Sequence, residues 1–555
     1  MKKTLFFAIL ALSINAIAQT NVPGGNVSGT WTVAGSPYII QGSIQILSDS
    51  TLTIEPGVTV NFQGTYKMYV QGRVIAIGAA TDTIIFTSAD TTNGWRGIRF
   101  DNTPTANDTS RFFYCKFQYG KATGIYPDDE GGAFYFYNFS KAIISNSQIV
   151  NCEANNFGGG ISCDYNSGPA ITNNTISNNT ANYGGGISCS DSPAITNNTI
   201  SNNTANDGGG IYCGSGSTPT ITNNTISNNT ADGGGGIFCY GNSTIANNTI
   251  SNNTANYGGG IYCYGSDPTI ANNTLSNNTA YYGGAIYCKF SSSPAITNNT
   301  ISNNTANDGG GIYLYNYECW PTITNTTISN NAAARGGALY CTGNSNPALR
   351  NTILYGNTAG ISGAQLYLDD ELSDPNFYYC DVQGGTAAFE LNNNIYTGIY
   401  QNNIDSDPLF VAPSAGSGTG YNGVTADWSL LAGSLCIDAG DPNGTYPATD
   451  KAGDPRVVNS IIDMGAYEYQ IIDDVAQYSL QTEFVVYPNP TSGKVAVSSG
   501  SSSITSIEIY NVMGEKVYQS SVISYSSSVN PPMTNAPMTI DLSFQPAGIY
   551  FCKNL

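Results

Sequence analysis

The chain has no histidine, and only 10% of its 555 residues are charged. Basic residues are the scarcest: no Lys or Arg lies between Lys141 and Lys289. The formal net charge is −20. Holding a phosphate backbone needs Lys and Arg, so a nucleic-acid partner is excluded, and polyanionic glycans are disfavoured for the same reason. Long apolar runs are also missing after residue 18, so no transmembrane segment is expected in the mature chain. The one apolar run sits at the start. Lys2 and Lys3 precede Leu5 to Ile14, and Ala16-Ile17-Ala18 is a cleavage site of the A-x-A kind. Residues 1–18 therefore read as a signal peptide, which places the mature protein outside the cytoplasm.

What the chain has in abundance is a repeat, clearest from about Gly131 to Leu368. A glycine pair or triplet precedes an apolar anchor at Phe134, Ile161, Ile187, Ile211, Ile237, Ile261, Ile286, Ile312 and Leu339. The steps are 24 to 27 residues, and a degenerate copy adds Leu366. Repeats of this length identify a stacked architecture. Within a unit, ITNNTISNNTANYGGGISC from Ile171, apolar and polar residues alternate with period 2 over short runs bounded by Asn and Gly. That pattern reads as short strands separated by turns, one coil of a parallel β-solenoid per unit. The spacings Ile195-x-x-Asn198 and Ile200-x-x-Asn203 put Asn at each bend. Asn tolerates the left-handed conformation, and its amide can pair with the coil above. N-N-T also matches the glycosylation pattern, but the same residues are needed at corners.

Most of the 13 cysteines follow the repeat. Cys163, Cys189, Cys213, Cys239, Cys263, Cys288 and Cys341 sit two residues after the anchor, a slot filled elsewhere by Phe136, Leu314 and Leu368. A slot shared by Phe, Leu and Cys is apolar core, so a mostly reduced, buried stack is expected. Stacked coils lie about 4.8 Å apart, so a few bridges remain geometrically possible.

Two flanking stretches carry resemblances. GTWTV, LTIEPGVTVNF, GRVIAIG and GWRGIRF, within residues 19–130, closely resemble the opening of secreted bacterial right-handed β-helix proteins; irregular first coils and a cap are expected there. The IxxN and GGxI pattern of residues 131–379 resembles the repeat of pectate-lyase-like proteins. It also resembles chlamydial polymorphic membrane proteins, with GGAF, GGAI and GGAL at 131–134, 283–286 and 336–339. DWSLLAGSLCIDAGDPNG and DMGAYEY, within 380–470, resemble the closing segment of bacterial β-helix surface proteins and predict a C-terminal cap. There Asp438, Asp441 and Asp463 could bind calcium, but turn formation is the preferred role for them. Beyond a linker at 471–483, FVVYPNPTSGKVAV, IEIYNVMGEKVY and IDLSFQPAGIYF in 484–555 resemble the sorting domain of the type IX secretion system of Bacteroidetes. Such domains usually continue past GIYF, so a shortened signal is expected. The fold class is therefore all-β: a right-handed parallel β-helix with capped ends, then a small β-sandwich-like sorting domain.

The pectate-lyase-like resemblance raises the question of catalysis. Uronate lyases use an Arg or Lys base with calcium, and the regular coils hold only Lys289, Arg335 and Arg350, scattered. Polygalacturonase-like hydrolases use clustered Asp with a His-containing motif, and this chain has no His. An inverting hydrolase needs two carboxylates about 6.5–9.5 Å apart. Asp207 and Asp232 precede the glycines of adjacent coils, but Asp308, Tyr183, Tyr257 and Tyr282 share the slot, which makes it a loop position. No catalytic residue, metal or cofactor is expected. A binding role has firmer support. The position after the anchor points outward and holds Tyr135, Tyr212, Phe238, Tyr262, Tyr287, Tyr313, Tyr340 and Tyr367, with Tyr240, Tyr264 and Tyr315 two residues on. From Tyr212 onward this predicts an exposed aromatic stripe, either a platform for a glycan or protein ligand or a self-stabilising stack. A second outward array pairs Thr199/Ser201, Thr225/Ser227 and their equivalents, which reads as ordinary hydrated surface rather than an ice-binding plane. The expected function is that of a secreted or cell-surface (outer-membrane-associated), non-catalytic adhesion or glycan-binding protein that the sorting-domain resemblance implies is exported by the type IX secretion machinery; the alternatives are a pectate-lyase-like polysaccharide-degrading enzyme and a structural surface spacer.

Overall fold

The computed structural model describes residues 19–139 and 141–470, together with the strands Phe484–Tyr487, Lys494–Ser499, Ser506–Asn511, Lys516–Ser521, Met538–Asp541 and Tyr550–Asn554. The signal peptide and the linker expected at 471–483 lie outside the described residues. Residues 1–470 and 471–555 form two compact units.

In the first unit, three sheets of 15 parallel strands run the length of a solenoid. One coil shows the plan. Ala194–Thr196 belongs to a sheet we call the third, Thr199–Ser201 to the hydroxyl sheet, and Ile211–Cys213 to the anchor sheet. Each pairs in register with its equivalent one coil on, as in Thr199 with Thr225 and Ile211 with Ile237. Alternation sends Ile195, Ile200, Ile211 and Cys213 inward, all fully buried. Each isoleucine is worth about 2 kcal/mol of burial. In the first coils the same columns hold rings instead: Phe86 stacks on Phe117 at 4.8 Å in the Ile200 column, and Phe100 on Phe136 at 5.0 Å in the Cys213 column. All twelve described cysteines are buried and unbridged, and burial pushes the thiols of the stack upward.

The two asparagines of each corner divide the work. The first is left-handed: Asn197 and Asn202 both have φ 57°. The second turns inward and is buried. Asn203 donates from its backbone N–H and from Nδ2 to Oδ1 of Asn229, at 3.0 Å each, and Nδ2 also donates to the Ile176 carbonyl. The same pattern links Asn179, Asn203, Asn229, Asn253, Asn278, Asn304, Asn331 and Asn357 without a break. The spacing predicts a single Asn for both jobs; the structure gives the left-handed turn to Asn202 and the buried ladder to Asn203. The glycines before the anchor have a steric cause. A Cβ on Gly185 would lie 2.6 Å from the carbonyls of Gly209 and Thr204.

The solenoid reaches further both ways than the repeat shows. Its first rung starts at Thr20–Val22 and its last is built from Asp381–Val382, Phe389–Glu390 and Tyr400–Gln401. The closing segment does more than end the stack. Residues 413–467 fold back along the hydroxyl sheet, with Asn277 bonded to Tyr421 and Asn298 to Thr449. The second unit contains two three-stranded antiparallel sheets.

Candidate binding faces

The column after the anchor begins at Asn26 and Gln45, continues through Tyr69, Arg99, Tyr135, Ser162 and Ser188, and then holds Tyr212, Phe238, Tyr262, Tyr287, Tyr313, Tyr340 and Tyr367. These side chains do point away from the solenoid core. They are not exposed. Phe238, Tyr262, Tyr287, Tyr313, Tyr340 and Tyr367 retain only 2–7% of their surface and form a second apolar cluster; Tyr212 is half-buried. The cause is the coil spacing, which is close to the stacking distance of rings. Tyr313, Tyr340 and Tyr367 stack at 4.6 and 4.8 Å. A neighbouring column, from Phe157 through Tyr183, Tyr257 and Tyr282 to Asp308 and Arg335, closes over them. Tyr282 lies 5.1 Å from Tyr313, and the Arg335 guanidinium sits 5.6 Å from the Tyr340 and Tyr367 rings. Arg335 also grips the buried Asp308 carboxylate through Nε and Nη2, at 2.7 Å each.

Exposed aromatic surface lies instead at the turn that follows the anchor strand. Tyr240, Tyr315, Tyr317 and Trp320 are exposed, and Tyr264 and Phe290 are half-buried between them. Tyr264 packs on Phe290 at 4.9 Å, and Phe290 on Tyr317 at 6.0 Å. This edge borders a cleft of about 780 Å³ lined by Tyr317, Glu318, Asn344, Asp370, Glu371 and Leu372, among others. The acidic residues of this cleft lie outside the repeat pattern, which is why periodicity did not find them.

The carboxylates considered for hydrolysis do not share a slot. Asp207 is bridged to Gly233, not to Asp232, because the second coil carries one extra glycine. Asp207 is half-buried against the ring columns, and burial, with a smaller push from Asp232, raises its carboxyl to about 6. Asp232 is exposed and accepts from Asn256 Nδ2 at 2.6 Å. The three aspartates weighed for calcium occupy the closing segment. Asp463 accepts from the backbone N–H of Asp438 at 2.7 Å and of Tyr469 at 2.5 Å. Asp441 pairs with Arg350. Among the described residues no group of three or more acidic or thiol side chains is placed to hold a metal ion.

Sequence reasoning missed a buried charged group near the start of the anchor column. Arg99 is 2% exposed and donates from Nη1 to the Glu130 carbonyl, while its Nε and Nη2 have no partner. Glu130 is buried beside it, and burial, with Asp164 and Asp129, pushes its carboxyl up to about 7. A strand-to-strand loop covers both residues, and Lys67 holds that loop through Asp128 at 2.9 Å. The irregular early coils hid this site.

Three parallel sheets closed into coils define a β-helix protein, followed by a small antiparallel second unit. A family profile described as "Right handed beta helix region" matches residues 97–274, 209–370 and 259–421. These matches together cover more than half of the chain, which belongs to the right-handed β-helix family. A second profile, "Secretion system C-terminal sorting domain", matches residues 485–554. The chain is thus a β-helix protein exported by the type IX route, by secretion or to the cell surface. It is also similar to "Protein bark beetle" of Drosophila melanogaster, at 34% identity over 99 residues, which is 16% of this chain and 3% of that protein. The chain spans only a small fraction of that relative's length.

Proposed function

We propose that this protein is a non-catalytic adhesin, displayed at the outer-membrane surface, which holds neutral glycans on the edge formed by Tyr240, Tyr264, Phe290, Tyr317 and Trp320. The carrying observation is that this exposed ring edge borders the cleft of Glu318, Asn344, Asp370 and Glu371. Rings supply flat apolar contact for sugar faces, and the carboxylates and amides accept and donate to hydroxyls. The acidic lining repels polyanions. Tyr317→Ser with Trp320→Ser is expected to abolish retention on a panel of neutral polysaccharides while the melting curve of the full chain moves by less than about 2 °C. Unchanged retention sinks this reading.

Polysaccharide cleavage is the second reading; what supports it is that burial raises the Glu130 carboxyl to about 7 next to Arg99, which bonds the Glu130 carbonyl, and perturbed carboxyls of this kind serve as proton donors in clefts. Shortening of any glycan that stops in Glu130→Gln would establish this reading and overturn the non-catalytic one.

A further inference from the structure

The left-handed asparagines of the hydroxyl sheet form a straight column: Asn178, Asn202, Asn228, Asn252, Asn277, Asn303 and Asn330, with φ between 55° and 60°. The column is used differently along its length. Asn178, Asn202, Asn228 and Asn252 are exposed, whereas Asn277 and Asn303 are buried and Asn330 half-buried beneath the chain's own segment 414–423. There the side-chain amides read a polypeptide backbone. Asn277 donates to the Tyr421 carbonyl at 2.5 Å and accepts from the Gly423 N–H at 3.0 Å. Asn303 donates to the Gly416 carbonyl at 2.8 Å and accepts from the Ser414 hydroxyl at 2.8 Å. Asn330 donates to the Ser414 carbonyl at 3.0 Å. Neighbouring hydroxyls join in: the Thr419 N–H donates to Thr305 Oγ1 at 2.9 Å.

The segment runs across the coils toward lower numbers, from Asn330 at Ser414 to Asn277 at Gly423. The column continues in line beyond that point. In the uncovered coils its amides make only long contacts to the adjacent serines, 3.5 Å for Asn178 and 3.4 Å for Asn202. Four bidentate amides, flanked by Thr and Ser and carrying no charge, therefore extend an occupied track.

We infer that the exposed Asn178–Asn252 track docks an extended, uncharged, Gly- and Ser-rich polypeptide segment of a partner protein, in the way the covered track holds residues 414–423. Two features select a polypeptide over a glycan. A carbonyl and an N–H two residues apart match the amide donor and acceptor of one Asn, as Tyr421 and Gly423 do for Asn277. The approach is also close enough to demand glycine. A Cβ on Gly423 would collide with Asn303 Oδ1 and Ser276 Oγ, and one on Gly418 would lie 3.0 Å from Thr305 Oγ1. A side chain at 423 would have to push these groups aside, and Gly418 also has φ 76°, which strains any other residue.

The test uses the full chain and a labelled synthetic peptide of residues 412–424, carrying a photoreactive group at the Tyr421 position. Saturable binding is expected, with cross-links to residues 175–254. Joint Asn202→Gly, Asn228→Gly and Asn252→Gly should weaken binding at least tenfold, because glycine keeps the left-handed backbone and removes only the amide. A peptide with valine at 416, 418 and 423 should not bind. The inference is overturned if the peptide fails to bind, if it binds the triple variant equally, or if it cross-links to residues 276–358 by displacing the native segment. It is also overturned if a neutral oligosaccharide, rather than the peptide, is the ligand lost on triple substitution. The cross-link map of the unsubstituted protein decides the matter should the triple variant fold poorly.

Discussion

At the scale of single residues, the two asparagines of each corner are chemically identical and energetically opposite. Asn229 accepts from the backbone and side chain of Asn203 and donates to the Ile200 carbonyl and to Asn253. Asn229→Ala strips four hydrogen bonds and leaves a buried N–H unsatisfied, at a cost of about 3 kcal/mol in denaturant unfolding. Asn228→Gly, one position earlier, should cost under about 0.5 kcal/mol, since glycine accepts its left-handed backbone. Equal losses would refute this division. The sequence announces that corners are Asn; it does not announce which Asn turns the chain, because φ leaves no mark on residue type. Arg335 and Asp308 give a second test. Arg335→Met leaves the Asp308 carboxylate buried without its two bonds, a loss of about 2–3 kcal/mol, and adding Asp308→Asn should restore most of it. No restoration would show that the pair does not act as a unit.

At the scale of elements, the aromatic column shows what periodicity does and does not reveal. Alternation gave the correct side for Tyr287 and Tyr313. It gave the wrong exposure, because period 2 is blind to what identical residues do across a coil spacing that matches ring stacking. Tyr287→Ser is therefore expected to destabilise by about 3 kcal/mol, read by thermal or denaturant unfolding; an unchanged curve would mean that the rings are free after all. The closing segment was legible as an ending but not as a covering strip, since nothing in GSGTGYNG names the asparagines it meets. It carries a pH dependence. Burial raises Asp463 to about 6, Glu468 to about 8 and the neighbouring Asp381 to about 7, with Arg456 partly opposing the first two. The folded state holds these protons more tightly than the unfolded chain. Their contribution is thus fully present below about pH 4 and is lost as pH rises toward 8. The melting temperature should be lower at pH 8 than at pH 5, with hydrogen exchange rising first in residues 441–468; the reverse order of temperatures would contradict the assignment.

At the scale of the whole molecule, each regular coil outside the stretch crossed by the closing segment bonds to its neighbours alone, so those coils are interchangeable parts. Removing residues 199–224 joins Asn198 to Thr225 and preserves every corner and ladder. The shortened protein should unfold cooperatively, and its longest dimension in X-ray scattering should fall by about 4.8 Å; loss of cooperative unfolding would show that coil number is fixed by something beyond stacking. The same geometry has a mechanical consequence. All three sheets direct their interstrand bonds along the solenoid axis, so a pull along that axis loads every bond of a rung together, and rupture of one contact does not hand the load to the next as it does when a zipper opens. The rungs of Asn277, Asn303 and Asn330 are also stitched across by segment 414–423, so under axial load they should be the last to part.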